Sequence, residues 1–222
     1  MIQKLPALLP MKGHSERVPN KNVRLLAGKP LCHHILEALA SAKYVGDIYV
    51  DTDSSEIAET AKTAFNAHII DRPPRLRGDR IPMTDILVHD ISLVEGDVFL
   101  QTHATNPLLR PETIDAAIEA FFSAPNVDSL FSVTPLQTRL YWENGRAINH
   151  DPAVLLRTQD LPPVYEENSN LYIFTRTCLA STGRRIGENP ILFKMSREEA
   201  LDIDTEYDFR VAELFHKEKR GT

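Results

Sequence analysis

Short β-rich runs alternate with amphipathic helical stretches along most of the chain, and this alternation predicts an α/β fold, a doubly wound and mostly parallel sheet covered on both faces. The 222 residues, 42% hydrophobic and 25% charged, suffice to bury one sizeable core and fit a single domain over 1–222. Between 135 and 167 the pattern changes. There Asn144-Gly145 separates Leu140–Trp142 from Arg146–Ile148, a hairpin signal that predicts a small inserted β arm.

Leu5 to Leu9 reads as a buried strand that breaks at Pro10 into a polar loop reaching Lys29. Leu31, Ile35, Ala38, Leu39 and Ala42 then fall at helical spacing over 30–42. Asp47–Val50 is the second strand, with Ser54 and Ser55 as caps for a helix that turns Ile57, Ala58, Ala61 and Phe65 inward. His68–Ile70 is the third. A breaker-rich stretch from Asp71 to Pro82, holding three prolines and four arginines, precedes a helix over 84–94. Val98–His103 is the fourth strand, Pro111 opens a helix that ends near Ser123, and Asp128–Val133 is the fifth strand. After the arm, Asn170–Phe174 and Ile191–Met195 return as strands, and Thr205–Lys217 closes the chain as an amphipathic helix.

A net charge of −6 argues against a nucleic-acid partner, which demands a broad basic surface. None of the apolar stretches approaches the roughly 20 residues that cross a bilayer, so no membrane role is expected. The two cysteines, Cys32 and Cys178, stand far apart and outside any metal-ligand spacing, which predicts reduced structural thiols in a cytoplasmic protein. The eight histidines show no HExxH or comparable spacing. Positive charge is nevertheless concentrated in one segment, where Lys12, Arg17, Lys21 and Arg24 face a single Glu16, and an anionic small molecule suits it.

That segment directly follows the first strand, where ligands sit in open α/β sheets, and it offers Gly13, the Ser15 hydroxyl, backbone N–H groups, Lys12 and Lys21 to a polyphosphate. It matches neither a Walker A loop nor GxGxxG. A second constellation is Asp202-Ile203-Asp204-Thr205-Glu206. In an extended segment residues i and i+2 share a side, so Asp202 and Asp204 present two carboxylates together while Ile203 faces the core. Paired hard oxygen ligands suit Mg²⁺ bound with triphosphate oxygens. Asp204 is also a candidate cap for the last helix, a role compatible with the first. Asp51-Thr52-Asp53 after the second strand has the form of the Asp-x-Asp pair of haloacid dehalogenase-type phosphatases, but such an enzyme would need a later Lys and an acidic pair in suitable strand-end contexts.

Taken together, the segment from Leu8 to Asn22 resembles the N-terminal signature of the acylneuraminate and Kdo cytidylyltransferases, a strand followed by Pro-Ala-Arg-Gly-Gly-Ser-Lys-Gly and then Pro-x-Lys-Asn. Lys12 stands where Arg is usual, Ser15, Lys21 and Asn22 match, and Glu16-Arg17 departs from Lys-Gly. Asp-Ile-Asp-Thr-Glu before a long helix is similar to the family's closing motif. Arg72-Pro73 with Leu76 and Asp79 resembles its Arg-Pro-x-x-Leu segment, Thr105-Asn106-Pro107-Leu108 its Gln-Pro-Thr-Ser-Pro-Leu turn, and Asn168 to Tyr172 its Asn-Gly-Ala-x-Tyr strand, with Ser169-Asn170 replacing Gly-Ala.

The resemblance, over nearly 5–215, implies a Rossmann-like nucleotide-diphospho-sugar transferase fold and transfer of CMP from CTP to an acidic 2-keto-3-deoxy sugar of the sialic acid or nonulosonate type. It implies CTP phosphates at Lys12, Gly13, Ser15, Lys21 and Asn22, the nucleoside at Arg72 and Asp79, and Mg²⁺ at Asp202 and Asp204. Lys12, Lys21, Asp202 and Asp204 are then catalytic. Sugar contacts fall to His103, in the usual Gln position, with Thr105, Asn168 and Tyr172, and to Arg139 and Arg157 in the arm. The arm implies a homodimer. Arg185-Ile186 stands where sialate enzymes carry two Phe, which leaves the identity of the sugar open, with Kdo or another sugar on the same fold as the alternative and a non-catalytic nucleotide-binding protein as the remote one.

Overall fold

The computed structural model describes residues 2–15 and 17–220. β1 (Leu5–Met11) runs through the middle of a seven-stranded sheet, parallel to β4 (Val45–Thr52) on one side and to β6 (Val98–Thr102) on the other. Outside β4 lies β5 (His68–Asp71); beyond β6 come β8 (Val164–Thr175), β7 (Ser129–Leu136) and β9 (Pro190–Lys194). Only β8 opposes its neighbours, so the sheet is mostly parallel as the alternation predicts.

The pleat of β1 divides the core. Ala7 and Leu9 join a cluster with Ile35 of α1 (Leu31–Ser41), Ile57 of α2 (Ser55–Phe65) and Ile114 of α4 (Pro111–Ser123). Leu8 points the other way, to Leu87 and Ile91 of α3 (Met83–Leu93) and Leu179 of α5 (Arg176–Thr182). Each such fully buried Leu or Ile contributes about 1.5–3 kcal/mol. α6 (Glu206–Arg220) packs Phe209 and Ala212 with Val18, Leu26 and Leu31, which ties the end of the chain to the loop after β1.

Three differences from the sequence reading have physical causes. The loop 12–29 carries a tight hairpin, β2 (Leu25–Leu26) and β3 (Lys29–Pro30), closed by Ala27 and Gly28 at φ 50° and 91°. α5 is an additional helix, capped by the Thr175 side chain, which accepts from the Cys178 amide, and ended by Gly183 at φ 64°. The arm is narrower than 135–167, because both of its ends belong to the sheet and Pro135 pairs with Tyr165. β9 accompanies β7 only as far as Val133, and beyond that point β7 is an edge that tolerates proline. The predicted hairpin is present as a single bridge between Tyr141 and Ala147.

Candidate active site

The chain leaves β1 for β4 on one side and returns to β6 on the other, so the carboxyl ends of β1 and β6 flank the point where strand order reverses. A cavity of about 230 Å³ opens there, lined by Lys12, Ser15, Lys21, Asn22, Arg72 and Asp79 together with His103 and Thr105. Eight of the predicted site residues thus meet in one place. Lys12 forms an ion pair with Asp79 across the cavity mouth, and the Asn22 amide donates to the Lys12 carbonyl at 2.9 Å. Gly13 sits just behind, with its N–H donating to Asp53 Oδ1 at 2.7 Å. A Cβ on Gly13 would lie 2.8 Å from Ser54 Cβ, so the turn can approach α2 only without a side chain. Asp53 therefore holds the turn, and Ser54 caps α2 by accepting from the Ile57 amide. Glu16 lies outside the described residues.

Arg72 is anchored from below. Its guanidinium pairs with buried Asp51, beside which Asp90 is also buried, with its carboxyl pushed up to about 9 by burial, by the charge of Asp51 and by a hydrogen bond to it.

The acidic couple reaches the same site. Ile203 is fully buried and its amide donates to the Thr105 carbonyl at 2.9 Å, so Asp202 and Asp204 emerge beside the end of β6. Lys21, with only 12% of its side chain exposed, donates to the Ile203 carbonyl at 2.7 Å and stands 3.9 Å from Asp204. Arg17 holds Asp204 at 2.7 Å. Burial raises the Asp202 carboxyl, with Asp204 adding to the rise and a hydrogen bond to Thr105 opposing it, and Oδ1 of Asp202 is buried without a partner. Burial lowers Lys21, against the pull of Asp202 and Asp204. Asp204 does not cap α6. Thr205 does, its hydroxyl accepting from the Asp208 amide while the Asp208 carboxylate accepts from the Thr205 amide, a reciprocal cap that leaves the Asp204 carboxylate to the site. An orphaned buried carboxylate oxygen next to a second carboxylate is a donor set that fits a hard divalent cation.

Asp202 and Asp204 also line a second cavity, of about 520 Å³, with Thr134, Glu166, Glu167, Asn168 and Arg197. Asn168 is fixed by the Ser132 hydroxyl and by its own amide donating to Thr134. Ser169, where the resembling pattern carries Gly, takes φ 53°, a conformation that glycine adopts freely. Tyr172 is fully buried and its hydroxyl donates to Glu167. Arg139 and Arg157 line neither cavity. Arg139 donates to the Leu156 carbonyl and Arg157 pairs with Asp160 at 2.6 Å, both within the arm. Arg197 escapes the sequence reading as a site residue, because no motif surrounds it, and the half-buried Arg185 is visible there only as a departure from the two Phe of sialate enzymes.

A family model described as Cytidylyltransferase matches residues 7–218. The chain is 30% identical to CMP-N,N'-diacetyllegionaminic acid synthase of Legionella pneumophila, over 93% of this chain and 94% of that protein. It is also 30% identical to N-acylneuraminate cytidylyltransferase A of Danio rerio, over 94% of this chain but only 50% of that protein, so it spans about half the length of this vertebrate relative. Among solved structures, a CMP:2-keto-3-deoxy-manno-octonic acid synthetase complexed with CTP shares the fold with a TM-score of 0.72 at 18% identity, over 98% of this chain and 100% of that one.

Proposed function

The chain belongs to the cytidylyltransferase family, and we propose that it transfers CMP from CTP to an acidic 2-keto-3-deoxy sugar of the nonulosonate type, releasing pyrophosphate. The observation that carries this reading is the meeting of Lys12, Lys21 and Arg72 with Asp202 and Asp204 where two cavities adjoin. The smaller suits the nucleotide and the larger, wider and lined mostly by polar side chains, suits the sugar, with His103 at the boundary between them, where its neighbour Arg185 comes within 3.8 Å of Glu167 of the larger cavity.

In this reading the anomeric hydroxyl of the sugar attacks the α-phosphorus of CTP, the new P–O bond forms as the bond to the β-phosphate oxygen breaks, and the hydroxyl proton passes to a phosphate oxygen of the nucleotide, so that pyrophosphate leaves. Catalysis of such a step rests on positioning and on neutralising charge. Lys12 and Lys21 hold the phosphates, with the pairing partner of Lys12, Asp79, yielding its place as the nucleotide enters. Asp202 and Asp204 would hold Mg²⁺, which supplies charge neutralisation on the triphosphate. Asn168 and Arg197 orient the sugar, Arg197 offering a cation to its carboxylate. The arm exposes Trp142 and Leu155, the latter 89% exposed, and this apolar surface favours a homodimer in which Arg139 and Arg157 reach a neighbouring site. The reaction belongs to the cytoplasm, where free buried thiols such as Cys32 and Cys178 stay reduced.

Pyrophosphate release tests the proposal, measured with CTP, Mg²⁺ and a panel of nonulosonic and 3-deoxy-2-keto acids. Turnover is expected with CTP and at least one nonulosonic acid. Silence across the panel, or turnover of another nucleotide with a sugar 1-phosphate, would reject it.

A further inference from the structure

We infer that His103 presents a neutral imidazole in its Nδ1–H form to the substrate, as a hydrogen-bond donor to an oxygen of the acidic sugar, and that Gln101 and Arg185 enforce that form. The identity of the ligand rests on the function proposed above, whereas the tautomer rests on the cavity wall alone.

The chain of hydrogen bonds behind His103 admits one assignment. Arg185 Nη1 lies 2.6 Å from Gln101 Oε1, and a guanidinium only donates, so the amide oxygen of Gln101 must face it. The amide nitrogen then faces the other way and donates to the Thr102 carbonyl at 2.9 Å, an atom that only accepts. Both ends of the amide are thus fixed by the chemistry of their partners. The second hydrogen of that nitrogen points to His103 Nε2 at 3.1 Å, and Arg185 Nη1 stands 3.4 Å from the same atom. Two groups that only donate confront Nε2, which must therefore be bare and accept. A neutral ring has one proton, and it goes to Nδ1.

A second proton is excluded by the surroundings. Burial, reinforced by the positive charges of Arg185 and Lys21, pushes His103 down to about 3. Arg185 cannot swing away, because its guanidinium lies 3.4 Å from the centre of the Tyr172 ring, its Nη2 is 3.8 Å from Glu167, and only 17% of its side chain is exposed. With Nε2 committed to the wall, Nδ1–H is the group that His103 can offer to the cavity it lines with Lys12, Lys21 and Thr105. A ring in this state has no free lone pair, so it is no base for the attacking hydroxyl. It recognises an accepting oxygen without adding charge.

Long-range ¹H–¹⁵N spectra of the whole protein at pH 7 read the tautomer directly, with the His103 ring assigned by its disappearance in His103→Asn. A pyrrole-type Nδ1 and a pyridine-type Nε2 are expected; an Nε2–H ring or an imidazolium would overturn the inference while leaving the proposed activity standing. Steady-state kinetics then read the role. His103→Ala should raise KM for the sugar about tenfold with little change in KM for CTP, the loss expected of one hydrogen bond to a charged acceptor. Asparagine places an N–H near the position of Nδ1 and should recover most of that loss, whereas glutamine, which reaches toward Nε2 and its two donors, should not. Asparagine no better than alanine would overturn the donor role. An Nδ1–H spectrum from a protein that turns over no keto acid sugar would reject the ligand and the proposed function together, with the tautomer intact.

Discussion

Around the smaller cavity the polar side chains come from the loops that follow strand ends, Lys12 to Asn22 after β1, Arg72 and Asp79 after β5 and His103 to Thr105 after β6, with Met83 and Ile86 of α3 as an apolar wall. The larger cavity is assembled differently, from β7, from the bulged strand β8 and from the segment 197–204, with the loop 183–189 buttressing the boundary between the two through Arg185. One region is a set of short contiguous motifs on a scaffold common to open α/β sheets. The other is a mosaic whose members share no local pattern. On the proposed function, chemistry that any nucleotide demands is therefore local in sequence, and selection of the sugar is distributed.

Asp202 and Asp204 line the larger cavity, and Lys21 of the smaller one donates to the Ile203 carbonyl between them, so the largest effect should come from cutting that joint. Asp204→Ala is expected to lower turnover about a hundredfold or more, since a bound cation contributes several kcal/mol of charge stabilisation in such reactions. Asp204 is 43% exposed and Thr205 caps α6 independently, so circular dichroism should be unchanged. Pyrophosphate release within a few-fold of the wild type would detach the acidic couple from catalysis and leave the two cavities as separate features.

This contrast also governs what could be read from the chain. The strands, the long helices and the residues that line the smaller cavity were legible because period-2 and period-3.6 hydrophobicity and strand-end turns are local signals. The helix α5 carried its own marks, Thr175 before it and Gly183 after it, but its seven residues are too few to show a period. The cap of α6 falls on Thr205, one residue after the candidate Asp204, and only the reciprocal bonds with Asp208 distinguish the two. Arg185 was visible as a departure from the two Phe of sialate enzymes. That it lies over Tyr172 and holds Gln101 is a fact of tertiary structure, the bonded partners standing 84 positions apart in the chain.

The loop that carries Arg185 offers a sharper cut. A Cβ on Gly187 would lie 2.4 Å from the Asp128 carboxylate, and that carboxylate is pinned by the amides of Glu188 at 2.7 Å and Asn189 at 3.1 Å. Neither side can give way, so Gly187→Ala should cost about 1–3 kcal/mol, roughly 2–10 °C in melting temperature. If the sugar side is a separate mosaic, KM for the sugar should rise while KM for CTP stays near its wild-type value. Equal changes in both would show that the loop supports the whole site.

The smallest effect expected lies beneath the nucleotide side, where Asp90 and Asp51 are buried together with Arg72. One guanidinium neutralises one carboxylate, and the second must keep its proton, which is why burial and Asp51 push Asp90 up to about 9. A carboxyl raised in the folded state binds a proton on folding. Its contribution is fully present below the unfolded value near 4 and is lost as the pH climbs to about 9. A carboxamide in place of this carboxyl would donate to Asp51 at every pH, so the advantage of Asp90→Asn over the wild type should be negligible at pH 4 and grow to about 1–2 kcal/mol, or roughly 2–8 °C, by pH 8. Melting curves that stay parallel from pH 4 to pH 9 would mean that Asp90 is ionised in the folded protein. Arg72 would then have two charges to answer, and the nucleotide side would owe its rigidity to something other than a shared proton.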